Sequence, residues 1–197
     1  DFENSKTVAI VGTRRSTDYG KHCVEELVAG LIGHGALIIS GLAYGIDIQA
    51  HKQAVKNNLS TIGVMGSGID VIYPAAHRDI VEKMLDTGGI VSENTFGTKP
   101  DAHNFPARNR IIAGLADALV VVEAAESGGA LITADIANSY NKDVFAYPGN
   151  VGRSYSEGCN NLIKSKKASL ITSVKDLEYG MNWTHGKDHH TTISYNT

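Results

Sequence analysis

The stretch TVAIVGTRRSTDYG, residues 7–20, decides the type of fold. Its first five residues are a short, β-branched apolar run of strand length, and a glycine follows the run at position 12. The polar residues after Gly12 lead into residues 19–34, whose apolar positions repeat with helical spacing. The stretch therefore predicts a buried strand, a glycine turn and a helix, in that order.

Five further apolar runs repeat this pattern along the chain. They cover residues 36–40, 60–65, 89–93, 118–123 and 143–148. Each run is continuously apolar instead of alternating, which indicates strands with both faces covered, as in a parallel sheet flanked by helices. The segments between them predict helices at residues 46–57, 76–87, 107–116 and 130–141. The sequence therefore predicts a doubly wound α/β fold, with ligands bound at the carboxyl ends of the strands.

The composition is that of a globular protein. Of 197 residues, 42% are hydrophobic and 20% are charged, which excludes intrinsic disorder, and no apolar run reaches the roughly 20 residues of a membrane helix. Cys23 and Cys159 lack CxxC spacing, so we expect a reducing cytoplasm and neither disulfides nor a zinc site. We predict one domain over residues 1–180 and a polar tail at 181–197, with no signal peptide, metal or cofactor.

The overall charge does not favour nucleic acid, since 18 Lys and Arg stand against 21 Asp and Glu for a net charge of -3. Any such role needs local clusters, and one follows the first predicted strand. There Gly12 allows a tight turn, the next helix offers unpaired N–H groups, and Arg14 and Arg15 add guanidiniums that suit phosphate oxygens. The turn predicts a ligand that carries phosphate; the alternative is a solvated turn capped by Ser16 or Thr17.

Other predicted strands also end in glycine-rich turns. These turns contain Ser40 and Gly41, Gly66 and Gly68, and Ser127, Gly128 and Gly129. The GxGxxG pattern is incomplete because Val71 replaces its third glycine, and GxxxxGK[ST] is absent, so neither a dehydrogenase nor a P-loop ATPase is indicated. Asp47 and His51 share a helix face at i, i+4 spacing, which permits a hydrogen-bonded couple, although a structural role is favoured for His51.

Residues 92–124 combine cations with aromatic side chains. Lys99, Arg108 and Arg110 attract backbone phosphates, while Phe96 and Phe105 can stack on bases, a mixture typical of single-strand binding. Further aromatic candidates for stacking are Tyr44 and Tyr73. The alternative is that Phe105 packs in the core and that the two arginines pair with Glu93 or Glu123.

Taken together, these blocks resemble the DNA-processing protein A family, DprA or Smf, from Val8 to Leu177. The motifs that carry the resemblance are VAIVGTRRSTDYG, SGLAYGIDIQAH, GSGIDVIYP, SE at 92–93, FPARNRIIAGLADALVVVEA, SGGALITADIA, VFAYPG and SEGCNNLI. The resemblance implies an extended Rossmann-like fold with a mostly parallel sheet and helices on both faces. It also implies a homodimer that binds single-stranded DNA without catalysis and loads RecA recombinase in natural transformation.

The resemblance assigns roles to individual residues. It implies a phosphate pocket and an RNR signature, and with the turns above the predicted DNA-binding set is Gly12, Thr13, Arg14, Arg15, Ser40, Gly41, Gly66, Gly68, Lys99, Arg108, Asn109, Arg110, Ser127, Gly128 and Gly129. The chain departs from the family pattern at His77, where Asn is common, and at Lys166 and Lys167, where Gly-Ala is common. The second departure lies in the family's self-association segment and leaves the dimer geometry open.

Two alternatives stay open. One is a nucleotide-binding or phosphoribohydrolase-like enzyme of the lysine-decarboxylase-like family, whose PGGxGTxxE motif corresponds to SGGALITAD at 127–135. Leu131 and Ile132 stand there for Gly and Thr, which disables the motif, while Asp135 takes the Glu position. The other is a sensing domain that holds one small phosphate ligand in the same loops.

Overall fold

The computed structural model describes residues 6–183 and has a single sheet at its centre. The strands are β1 (Thr7–Val11), β2 (Leu37–Ser40), β3 (Thr61–Val64), β4 (Gly89–Val91), β5 (Ala118–Val121), β6 (Asp143–Ala146) and β7 (Ser169–Leu170). Their spatial order is β4-β3-β2-β1-β5-β6-β7, and every neighbouring pair is parallel. The predicted Rossmann-like α/β fold is confirmed, with a sheet that is parallel throughout the described part of the chain.

In the described part of the chain, seven α-helices cover the two faces of the sheet. They are α1 (Asp18–Gly30), α2 (Ile46–Lys56), α3 (Arg78–Met84), α4 (Asn104–Leu115), α5 (Gly129–Ser139), α6 (Glu157–Lys164) and α7 (Val174–Gly180). Along β1, Val8 and Ile10 belong to one buried apolar cluster, and Ala9 and Val11 belong to another. Successive side chains of a strand point to opposite faces, so each apolar run supplies both cores.

The structure changes several predicted boundaries. Helix α4 begins at Asn104, which places Pro106 in the first turn, where its missing N–H costs no hydrogen bond. The helix predicted at 76–87 is a 3-10 turn at Ala75–His77 followed by the shorter α3. The sequence did not predict β7, α6 or α7, which are short elements of two, eight and seven residues.

The order of the strands creates one topological switch point. Connections from β1 lead by way of α1 towards β2 on one side, whereas β5 lies on the other side of β1. Crevices form at such points because the loops that leave the two strands diverge. The carboxyl ends of β1 and β5 are therefore where the fold favours a ligand.

Two further expectations concern the membrane and the tail. Between residues 6 and 183, no helix is both long enough and apolar enough to cross a bilayer. Most of the tail predicted at 181–197 lies outside the described residues.

Candidate nucleic-acid interface

A cavity of about 790 Å³ opens at the carboxyl ends of β1 and β5. Its volume falls within the range of about 300–1,000 Å³ that is usual for small-molecule sites. Of the predicted set, the residues that line it are Gly12, Thr13, Arg14, Arg108, Asn109, Ser127, Gly128 and Gly129. The fold therefore brings together the β1–α1 turn, the RNR segment of α4 and the SGG turn before α5, which are more than 100 residues apart in sequence at their extremes.

The SGG turn presents the N-terminus of α5 to this cavity. Gly128 is the N-cap residue, and within the described structure no side chain caps the helix and no acidic residue lies in its first turn. The Asn109 amide Nδ2 and the Thr133 hydroxyl both donate to the Gly129 carbonyl, at 3.4 and 2.9 Å, and hold the turn in place. Unpaired N–H groups and the helix dipole together favour an anion here.

The N-terminus of α1 differs from its prediction. Its N–H groups were expected to be free, but Thr17 caps the helix, as the alternative proposed, and its hydroxyl accepts from the Gly20 N–H at 3.4 Å. The buried Glu123 carboxylate accepts in turn from the Thr17 N–H at 2.9 Å and from the Thr17 hydroxyl at 2.6 Å. This carboxylate comes from the end of the neighbouring strand β5, and it already offsets the positive end of the helix dipole. The prediction of a free helix terminus is therefore wrong, and the cationic contribution of this turn comes from Arg14.

Arg108 is a buried arginine in the cavity wall, with only 6% of its surface exposed. Its Nη1 donates to the Val64 carbonyl at 2.5 Å, and its Nε donates to Asn109 Oδ1 at 3.2 Å. Burial lowers the pKa of Arg108, and the charge of Asp47 opposes that effect. Burial likewise raises the pKa of Asp47, opposed first by Arg108. Arg108 is thus a fixed positive charge with a nearby carboxylate.

Gly41 separates these two side chains instead of facing a ligand. A Cβ at this position would lie 2.4 Å from Asp47 Oδ2 and 2.8 Å from Arg108 Nη1, so only glycine fits between them. Ser40 is fully buried, and its hydroxyl donates to the Ile10 carbonyl at 2.6 Å. The structure places both residues behind the cavity, where they support the charges that line it.

The remaining predicted residues lie around the cavity without lining it. Arg110 forms an ion pair with Glu93, as the structural alternative proposed. Arg15 and Lys99 are exposed beyond the cavity lining. Among the glycines, Gly66 lies against the Phe105 ring and borders a second, much smaller cavity next to the first, while Gly68 donates to Thr98.

Aromatic side chains stand beside the cationic groups. The guanidinium carbons of Arg14 and Arg108 each lie 5.6 Å from the Phe105 ring centroid, which is cation–π distance. Tyr73 is 48% exposed, lines the cavity and lies 6.1 Å from the Phe105 ring. The cavity therefore combines positive charge with aromatic surface, as the sequence predicted, although the packing of Phe105 against Gly66 gives it a structural role as well.

Two neutral histidines hold the loop between β2 and α2. His51 is fully buried, its Nε2 donates to the Gly41 carbonyl at 2.6 Å, and its Nδ1 lies 2.7 Å from the Thr61 hydroxyl. His77 Nδ1 donates to the Leu42 carbonyl at 2.7 Å. The structural interpretation of His51 is confirmed, and the couple with Asp47 is wrong because both ring nitrogens have other partners.

The buried His51 predicts a loss of stability in acid. Burial lowers the pKa of its imidazole to about 4, whereas the unfolded side chain titrates near 6.5. As the pH falls, His51 therefore takes up a proton in the unfolded chain before it does so in the folded protein. The contribution of neutral His51 to the free energy of unfolding is complete above pH 6.5 and should decrease by about 3 kcal/mol as the pH falls to 4. Urea unfolding at pH 7 and pH 4 measures this difference in the free energy of unfolding.

Two variants test whether His51 is the group responsible. His51→Gln should make the free energy of unfolding less dependent on pH, whereas His22→Gln, an exposed control on α1, should leave that dependence unchanged. An equal pH dependence in the two variants would contradict the assignment to His51.

A family model described as DNA recombination-mediator protein A matches residues 1–182. The chain belongs to this family. The DprA/Smf resemblance found in the sequence is therefore confirmed.

Individual DprA/Smf proteins are similar over most of the chain. Protein Smf of Synechocystis is 47% identical over 170 residues, which are 86% of this chain and 42% of the relative. The X-ray structure of DprA from Streptococcus pneumoniae superimposes with a TM-score of 0.82 at 40% identity, covering 89% of this chain and 61% of that one. The structure of DprA from Helicobacter pylori is described as showing a single-stranded DNA binding mode. It superimposes with a TM-score of 0.81 at 31% identity, covering 90% of this chain and 80% of that one.

The matched region is only part of these relatives. The chain spans about half the length of the curated DprA/Smf proteins, with 42% of the Synechocystis relative, 60% of the S. pneumoniae relative and 49% of the Escherichia coli relative covered. The similarity therefore describes the Rossmann-like part of a DprA/Smf protein, which is where the cavity lies.

Proposed function

We propose that this chain binds single-stranded DNA in the cavity at the switch point without breaking a bond. The observation that carries the proposal is the meeting of Arg14 with the uncapped N-terminus of α5 in one cavity. A guanidinium and backbone N–H groups are the donors that most often hold DNA phosphates. The single-stranded DNA binding described for the H. pylori relative supports the same choice of ligand.

The contributions of the two cavity arginines differ. Arg14 is exposed and free to follow a phosphate, whereas Arg108 is fixed by Val64 and balanced by Asp47. Arg14 is therefore the principal phosphate contact, and Arg108 stabilises the cavity wall. Tyr73 and Phe105 offer flat surfaces to unpaired bases, which a duplex cannot present.

A direct titration tests this proposal. Labelled oligo-dT should bind with an affinity that falls with salt at a logarithmic slope of about -2, for about three neutralised phosphates on single-stranded DNA. A duplex of the same length should compete poorly, because its bases are stacked on one another. Fluorescence anisotropy measures both affinities. Equal affinity for duplex and single strand, or no affinity for either, would overturn the proposal.

The enzymatic alternative makes a different prediction. Asp135, at the position of the glutamate in the phosphoribohydrolase motif, forms an ion pair with Lys167 at 2.9 Å and does not line the cavity. The cavity carboxylate is Asp47, which accepts from the Ala43 N–H at 3.3 Å. We therefore expect no free base from nucleoside monophosphates incubated with the protein, as followed by chromatography. Mononucleotides should also bind more weakly than oligonucleotides, which distinguishes a strand site from a sensor of one small ligand.

The partners of this site extend the proposal. We infer that a second copy of the chain and RecA recombinase are its protein partners, and the recombination-mediator family to which the chain belongs supports this inference. Dimerisation would double the length of bound strand and steepen the salt slope. Sedimentation velocity should show a dimer of the chain. RecA filaments should assemble faster on single strands when the protein is present.

A further inference from the structure

Phe96 is an exposed aromatic residue at the tip of a tight turn after β4. Its side chain is 79% exposed. The Thr98 N–H donates to the Thr95 carbonyl at 3.2 Å, and Gly97 has φ +76°, so Thr95–Thr98 forms a β-turn with a left-handed third residue. Phe96 occupies the second position of this turn.

The turn is tied to the neighbouring loop after β3. The Gly97 N–H donates to both carboxylate oxygens of Asp70, at 2.9 and 3.1 Å, and the Gly68 N–H donates to the Thr98 carbonyl at 2.9 Å. One more hydrogen bond, from the Ser92 hydroxyl to the Ser67 carbonyl at 2.6 Å, joins the two loops where they leave their strands. The aromatic ring therefore stands on a fixed support, so little conformational entropy remains to be lost when a ligand binds it.

The position of the turn relates Phe96 to the cavity. Pro100 lines the cavity four residues later, so the two Cα atoms are at most about 14 Å apart. On the adjoining loop, Asp70 holds the turn and Tyr73 lines the cavity. Lys99, between Phe96 and Pro100, is exposed and has no ion pair with any described residue. Aromatic surface and positive charge thus continue from the cavity to the tip of the turn.

We propose that Phe96 is a stacking platform for one unpaired base of the strand, outside the cavity, with Lys99 at the adjoining phosphate. This inference rests on the proposed function and extends it, because it defines how far the bound strand reaches towards β4. Every base has a π-face, so the platform accepts any sequence. A lone exposed apolar residue is ordinary on a protein surface, and it is the fixed turn beside a cation and the cavity that distinguishes Phe96.

The test compares strands that do and do not reach the turn. Phe96→Ala should weaken binding of a dT strand of about 16 nucleotides by about fivefold to about a hundredfold, the usual effect of one aromatic–base stack, and should leave a strand of about 4 nucleotides bound as before. An abasic strand of the longer length should bind both proteins equally, because it keeps its phosphates and lacks the bases. Phe96→Trp should bind the longer dT strand at least as well as the unchanged protein.

Tyr179→Ala is the matched control. Tyr179 is 91% exposed on α7. The adjacent Glu178 contacts His34, which also contacts Lys6 directly before β1, so this region lies at the amino ends of the strands and the cavity lies at their carboxyl ends. Removal of the Tyr179 ring should leave every affinity and the urea midpoint unchanged. Unchanged binding of the longer dT strand by Phe96→Ala would overturn the platform while leaving the proposed function intact, and so would an equal loss on the abasic strand. If the unchanged protein bound no single strand, both proposals would fail.

Discussion

Gly45→Ala should lower the free energy of unfolding by about 2–6 kcal/mol and abolish DNA binding. Gly45 caps α2 with φ +77°, and a Cβ there would lie 2.2 Å from the Thr13 carbonyl oxygen and 2.6 Å from the Arg14 carbonyl carbon. These atoms are backbone, so the clash cannot be relieved by a side-chain rotation. The substitution adds a left-handed penalty to this overlap, and the β1–α1 turn that carries Arg14 must move.

Gly35→Ala separates the two causes of that loss. Gly35 also has a positive φ, of 57°, but nothing lies within 4 Å of a Cβ built on it. Gly35→Ala should therefore lower the free energy of unfolding only by the conformational penalty, about 1–2 kcal/mol, and keep its affinity for single-stranded DNA. Chemical unfolding and anisotropy on the two variants measure both quantities. An equal loss of stability in the two variants would mean that the contact between Gly45 and the β1–α1 turn contributes nothing.

Arg14→Ala should weaken single-strand binding by about 10-fold to about 100-fold and lower the free energy of unfolding by no more than about 1 kcal/mol. A hydrogen bond to a charged partner contributes about 1.5–3 kcal/mol, which corresponds to that loss of affinity. The side chain is exposed, and its contact with the Phe105 ring is a surface cation–π interaction of about 0.5–1 kcal/mol at most. The salt slope should also become shallower by about 0.7, the contribution of one phosphate.

Arg15→Ala is the control for charge alone. Arg15 is the next residue, has the same charge and is exposed, but it does not line the cavity. Its loss should reduce affinity only slightly, through the long-range potential. If both substitutions weakened binding equally, the phosphate contact would be a general electrostatic effect rather than a site. Anisotropy at two salt concentrations distinguishes these results.

The part of the site that the sequence predicted correctly depends on a general property of parallel sheets. The turns at Gly12 and Gly128 were placed at strand ends by hydrophobic pattern alone, and carboxyl ends of parallel strands share one edge, so the turns had to be near each other. The pattern left open whether the helix N-terminus and the arginine side chains are free or already paired with a carboxylate. Glu123 accepts from Thr17 at the start of α1, and Glu93 pairs with Arg110. The partners in these contacts are 106 and 17 residues apart in sequence.

The amino-acid sequence by itself determined the α/β class, the parallel sheet and the family, because apolar runs of strand length and glycine turns are local features. Only the tertiary structure decided that Arg14 is exposed while Arg108 is buried near Asp47, and that the turn carrying Phe96 is held by Asp70. The physical reason is that burial and pairing depend on groups brought together by the chain's crossovers. A local pattern specifies that an arginine is present, and the fold specifies what surrounds it.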